Sequence, residues 1–269
     1  MKSKSTAQSI LAGSVLLGSA LLSQASVLTS FETDEGFTAN SRTNTAGWTF
    51  TNNGNIRVSN GTEPAKQGSL SLYTNGAGSA TATNLDNWAP KEDKLDLYSF
   101  SFISPTTAFS NQGNLAWVYV SLWDETTQAS KQLQFWVKYG STSTADYRIQ
   151  YQQDNGSGGT QNVFTQIKQS KLDLSDWNTL SVQFDFQSKT YSINLNDVPV
   201  VSGVALPSGW NVTGIVGTRL ATPSTGNVTY YDSVMATSAI PEPSAVALGA
   251  CGVFAGWVLL RDRRRLAAR

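Results

Sequence analysis

Leu133, Phe135, Val137 and Tyr139 alternate with Gln132, Gln134, Trp136 and Lys138. Successive side chains of a strand point to opposite faces, so this run specifies a strand with one apolar face. The pattern returns at Phe100 and Phe102 beside Ser99 and Ser101, and at Leu70 and Leu72 around Ser71. It returns again at Tyr147, Ile149 and Tyr151, at Val182, Phe184 and Phe186, and at Tyr191, Ile193 and Leu195. Turn residues punctuate the runs: Asn53-Gly54, Asn75-Gly76, Asn155 to Gly159, Gln187-Ser188-Lys189 and Asn196-Asp197. Only 14% of residues are charged, too few to solvate long surface helices. Lys168 to Trp177 is at most a short turn. With no repeat of fixed period and no interior linker, the expectation is one all-β domain over 26–238. Its architecture is an antiparallel sandwich of two sheets.

Composition then removes whole classes of chemistry. The chain has no histidine, which excludes Ser-His-Asp and Cys-His nucleophile systems and every imidazole metal site. Its single cysteine is Cys251, so neither an internal disulfide nor a zinc-thiolate cluster can form. Residues 26–240 hold 12 Lys and Arg against 17 Asp and Glu, a net charge of −5. A nucleic-acid partner is therefore not expected.

Both ends read as addresses. Met1-Lys2-Ser3-Lys4, an apolar run from Ile10 to Leu22, and Ser23-Gln24-Ala25 have the layout of a signal peptide over 1–25, cut after Ala25. At the other end, 239–269 contains Pro241-Glu242-Pro243, an apolar stretch over 245–260 and a basic tail over 261–269 with Arg263, Arg264 and Arg265. Sixteen helical residues span about 24 Å, slightly short of a hydrocarbon core. The arginines should keep the tail end cytoplasmic. Pro-Glu-Pro, one short transmembrane helix and a terminal arginine cluster, in that order, resemble the PEP-CTERM sorting signal of Gram-negative bacteria. The resemblance implies transient residence in the inner membrane, recognition by an exosortase and removal of the tail. The product would be delivered to the cell surface or to an extracellular biofilm matrix.

The segment from Asp176-Trp177 to Pro199-Val200 reads as a long hairpin followed by a tight turn into a further strand. It resembles the hairpin of laminin-G-like and other concanavalin A-like lectin/glucanase jelly rolls, with Asp197 where that family often has Gly. Val228 to Val234 resembles the closing strand of such domains, and Ser30-Phe31-Glu32 the opening one. The resemblance implies a jelly roll and carbohydrate binding. Glycosidases of this family often carry a Glu-x-Asp-x-(x)-Glu strand, because cleavage needs a carboxylate pair. The glutamates of the expected domain are Glu32, Glu35, Glu63, Glu92 and Glu125, and none makes that pattern. Asp124-Glu125 reads as the turn that ends strand 115–123. An enzyme is not expected.

The candidate sugar site follows from strand register. If Val118, Val120 and Leu122 face the core, Trp117, Tyr119 and Trp123 share the outer face with Gln134, Trp136, Arg148 and Gln150. Aromatic rings cover the apolar faces of pyranoses, and amides or guanidinium groups bond their hydroxyls. The opposite register would bury Trp117 and Trp123, and both registers stay open at this stage. Glu32 near the first strand and Asp232 near the last would be neighbours if the ends pair. They read either as two structural carboxylates or as part of a structural Ca2+ site. Asn-x-Ser/Thr at Asn60, Asn155, Asn211 and Asn227 reads as turn chemistry. The functional expectation is an exported, non-catalytic carbohydrate-binding or adhesion module with an exopolysaccharide partner. The alternatives are a structural surface protein without a small ligand and, less favoured, a glycoside hydrolase.

Overall fold

The alternating runs pair into two antiparallel sheets that share one core. A computed structural model describes residues 26–44, 47–51, 55–75, 78–82, 95–104, 113–141, 146–168, 171–221 and 228–238. All lie within one compact unit, Ala25–Pro241. The strands are β1 (Ser26–Thr29), β2 (Trp48–Thr51), β3 (Ile56–Val58), β4 (Leu72–Asn75) and β5 (Ser79–Ala82). There follow β6 (Leu95–Ile103), β7 (Asn114–Asp124), β8 (Ala129–Ser141), β9 (Asp146–Asp154) and β10 (Thr160–Ile167). The last five are β11 (Asn178–Asp185), β12 (Thr190–Leu195), β13 (Val198–Ala205), β14 (Val212–Ala221) and β15 (Val228–Ser238). One sheet runs β13-β12-β11-β6-β15-β4-β3, with β1 also on β15, and the other runs β10-β9-β8-β7-β14-β5-β2. Chain neighbours repeatedly sit in opposite sheets, giving an antiparallel β-sandwich.

The apolar half of each alternating run fills the space between the sheets. Leu133, Val137, Ile149, Phe100, Phe184 and Ile193 have no exposed surface. Hydroxyl groups stitch the sheets across this core. Tyr231 of β15 donates to the Ala221 carbonyl (2.9 Å) and accepts the Trp117 amide (2.9 Å), so it spans the β7–β14 seam of the facing sheet. Tyr98 bonds Thr218 at 2.5 Å, and Tyr191 donates to the Gln152 carbonyl. Burial pushes all three phenols far up, so they stay neutral donors at any physiological pH.

The hairpin at Trp177–Val200 forms as expected, with Leu180 opposite Leu195 and Phe184 opposite Tyr191. Asn196 and Asp197 are both left-handed, at φ 50° and 61°, the geometry of a two-residue turn that suits right-twisted strands. Glycine meets that demand with least strain. Here the Asn196 side chain compensates by accepting the Thr179 amide (2.8 Å) and donating to the Lys171 carbonyl (3.0 Å).

The opening strand lies earlier than expected, at β1, and not over Ser30-Phe31-Glu32. Ser30-Phe31-Glu32 is a bend after β1, because Phe31 takes a left-handed φ of 62° to bury its ring against Phe37 and Trp48. A 3-10 turn, Thr33–Glu35, follows, and the Glu35 carboxylate accepts the amides of Ser30 (2.9 Å) and Glu32 (3.2 Å). Ser71 departs from simple alternation too. It is as buried as Leu72, since its hydroxyl donates to the Pro64 carbonyl and its amide to Ser59. No helix of the described residues is long and apolar enough to cross a membrane. The expected signal peptide, Pro-Glu-Pro motif, apolar span and arginine tail lie outside the described residues.

Candidate functional site

Register decides what the outer face of the β10–β2 sheet presents. Val118, Val120 and Leu122 are fully buried in the core. Trp117, Tyr119 and Trp123 therefore point outward from β7, as do Gln134, Trp136 and Lys138 from β8 and Arg148 and Gln150 from β9. Trp117 pairs directly with Trp136, Tyr119 with Gln134, and Trp136 with Gln150. The six residues singled out from the sequence thus share one patch of three adjacent strands.

Two further strands extend it. On β14, Arg219 lies opposite Tyr119, with its guanidinium carbon 4.9 Å from that ring's centre. On the edge strand β10, Phe164 lies opposite Gln150 and is 59% exposed, the most exposed aromatic described. Arg148 stands 4.9 Å over the Phe164 ring. Neither extension was visible as a sequence motif. Phe164 sits among Gln161, Asn162, Thr165 and Gln166, and an apolar ring on the wet side of its strand breaks the alternation that would have marked it. Arg219 follows Gly214 and Gly217, whose strand is bulged.

The patch is tighter than a row of free rings. Trp117 and Trp136 meet edge to face at 5.2 Å and 82°, and Trp117 lies 5.2 Å from Tyr119. Lys138 holds its ammonium 4.1 Å over Trp136. Both indoles are half-buried, and Tyr119 is only 9% exposed. Burial, with Arg148 directly across the strand pair, holds the Lys138 amine below its ordinary range. Gln152 turns inward and accepts the Gln134 backbone amide at 3.1 Å. Trp123 lies further along the same face, opposite Ser130.

The two candidate metal residues do meet at one loop, but as anchors. Glu32 accepts the amides of Ser69 (2.8 Å) and Leu70 (2.6 Å) and the Ser69 hydroxyl (3.2 Å). Asp232 accepts the amides of Lys66 (2.7 Å), Gln67 (3.0 Å) and Ser233 (2.5 Å). Calcium takes six to eight oxygen ligands. Here all four carboxylate oxygens already face N–H or O–H donors, which a cation would repel. Among the described residues no group of three or more His, Cys, Asp or Glu is placed to hold a metal. This donor set does not fit Ca2+. Lys66 completes the clamp by donating to the hydroxyls of Ser101 (2.7 Å) and Thr179 (2.6 Å), which pins the loop across the other sheet.

Two further carboxylates are similarly committed. Asp124 ends β7 and accepts the amides of Thr126, Thr127 and Asn211, as its reading as a turn residue requires. Glu63 pairs with Arg57 at 2.5 Å. Glu92 and Asp93 lie outside the described residues.

No family model matches the chain, and no curated protein does. Among solved structures it is similar to a carbohydrate esterase from Shiga toxin-encoding bacteriophage phi24B, at 12% identity and a TM-score of 0.49, covering 72% of this chain and 91% of that one. It is similar to the binding domain of botulinum neurotoxin DC in complex with rat synaptotagmin II (11%, TM-score 0.48), over 83% of this chain and half of that one. It is also similar to a protein of unknown function with a galectin-like fold from Bacillus subtilis (10%, TM-score 0.42), covering 75% and 93% of the two chains.

Proposed function

We propose that the domain is a non-catalytic carbohydrate-binding or adhesion module of an exported protein, displayed at the cell surface or in the extracellular matrix after exosortase processing. One observation carries the binding half. Strand register gathers Trp117, Tyr119, Gln134, Trp136, Arg148 and Gln150 on one outer sheet face, where rings and hydrogen-bonding groups alternate. Aromatic surface beside amide and guanidinium groups is what a pyranose, apolar on its faces and polar at its rim, is bound by. The non-catalytic half is supported by Glu32, Glu63, Asp124, Asp154 and Asp232, whose carboxylates serve backbone amides or Arg57. Export and sorting rest on the two terminal motifs.

The test is affinity electrophoresis of the full chain through gels containing neutral and acidic polysaccharides. Retardation by at least one polymer is expected. Trp117→Ala and Trp136→Ala should each abolish most of it while near-ultraviolet dichroism and the melting temperature show a retained fold. An unretarded chain across the whole panel overturns the binding reading. A structural surface protein has its own support in the edge-to-face packing of the two indoles, which also suits simple sheet packing. Unfolding of both alanine variants would favour it.

A further inference from the structure

We infer that this face takes an acidic polysaccharide, laid across the strands with its carboxylates toward Arg219, Lys138 and Arg148; the inference rests on the carbohydrate-binding reading above. The contacts form one continuous row. Arg219 stands over Tyr119, Tyr119 touches Trp117, Trp117 meets Trp136, and Lys138 caps Trp136. Lys138 then faces Arg148 across β8–β9, and Arg148 stands over Phe164. The row crosses β14, β7, β8, β9 and β10. Four strand spacings of about 4.8 Å make it about 19 Å long, room for several sugar rings.

The polarity of the row is one-sided. Every charged side chain in it is a cation, and its buried polar atoms are donors. Trp117 Nε1, Trp136 Nε1 and Arg219 Nε are all buried and have no hydrogen-bond partner. Native proteins rarely leave such donors unpaired, so three on one patch mark a missing acceptor. Neither Lys138 nor Arg219 meets a carboxylate among the described residues, where the ion pair is Arg57–Glu63 on the other sheet. Two carboxylates at this sheet's strand ends are committed elsewhere. Asp154 serves the amides of Gly156 and Ser208, and Asp124 those of Thr126, Thr127 and Asn211.

Charge placement runs against composition. Residues 26–240 carry a net charge of −5, yet this patch sets Lys138 directly opposite Arg148. Like charges in directly opposed positions destabilise a strand pair. A ligand that brings carboxylates relieves that repulsion, supplies acceptors to the orphan donors, and still offers ring faces to the exposed Phe164 and the half-buried indoles. A neutral glycan would supply acceptors and ring faces but would leave the Lys138–Arg148 repulsion in place. Single-stranded nucleic acid is the other anionic, ring-bearing polymer. The glutamine amides of Gln132, Gln134 and Gln150, suited to hydroxyl-rich rims, favour the sugar.

The experiment uses the full chain in native gels containing polygalacturonate, alginate or hyaluronate. Each polymer is also used after methyl esterification, which keeps the sugar and removes the charge. Retardation by at least one free acid is expected. Its dissociation constant should rise about tenfold or more on esterification, the loss of a charge-assisted hydrogen bond. Added salt should weaken it. Lys138→Gln and Arg219→Gln should each weaken the free-acid interaction by a larger factor than binding to the ester, and an equal loss on both would overturn the acidic class. Equal retardation by acid and ester overturns the acidic class and leaves the sugar reading standing. Retardation by neutral glucans or galactans alone does the same. Failure of every polysaccharide overturns both, and equal or tighter binding of oligo-dT overturns the choice of a sugar.

Discussion

Tyr231 shows how one side chain couples the core to the candidate face. Its hydroxyl accepts from the Trp117 amide and donates to the Ala221 carbonyl, both on the opposite sheet and both at 2.9 Å. It therefore fixes the backbone that aims Trp117 outward. Tyr231→Phe keeps the ring in the core and removes both bonds, leaving a buried donor and acceptor unpaired. The expected loss is about 1–3 kcal/mol, read from the denaturant midpoint at unchanged slope. A midpoint equal to that of the parent chain would show that the bridge contributes nothing. At this scale the sequence was informative about which residues face out and silent about their company. Trp117, Tyr119 and Trp136 were legible as one face once register was assumed. That Lys138 and Arg219 would cap the rings was not, because cation–π contacts join residues from different strands with no linear spacing. The pairing of Glu32 and Asp232 through one loop was legible from the expected meeting of the ends. Their use by four amides of that loop was not, since backbone donors have no residue signature.

Elements succeed or fail by how much of their alternation survives. β8, β9, β11 and β12 have one wet and one dry face and could be read directly. β10 and β13 lie at sheet edges and β14 is bulged, so none shows clean period two. The 59–70 loop is an element of another kind, held by side chains rather than by a ladder. Asp232 is fully shielded from solvent, and burial, reinforced by the Glu32 charge, pushes its carboxyl up to about 6 against the pull of its amide donors. The folded state thus holds this proton more tightly than the unfolded chain does. The group's contribution to stability is complete below about pH 4 and is lost as pH rises through about 6. Asp232→Asn cannot titrate, so the stability of the parent chain relative to this variant should decline between pH 4 and pH 7. Melting temperatures of both proteins across that range measure it. A gap that widens in favour of the parent chain as pH rises would mean that the amide bonds dominate and the carboxylate titrates low.

At the scale of the whole molecule, the fold bears on how it is delivered. Ser26, the first residue after the expected signal-peptide cut, is already the first residue of β1 and pairs with Thr237 of β15. The last strand is complete at Ser238, just before Pro241-Glu242-Pro243. Both expected cuts therefore fall outside the sheet. Removing 1–25 and a tail from Pro241 onward deletes no strand pairing among the described residues. On the sorting proposal, the sixteen apolar residues 245–260 would span about 24 Å as a helix against a hydrocarbon core of about 30 Å, a length that suits a temporary anchor. In a bacterium that carries an exosortase, the surface-released protein should begin at Ser26 and lack Arg263, Arg264 and Arg265. Terminal peptides identified by mass spectrometry would show both. Pro241→Ala with Glu242→Ala should leave the chain in the membrane fraction with its arginines intact and its domain folded. A released form that still carries the arginine tail would refute tail removal as the step that frees the proposed binding module.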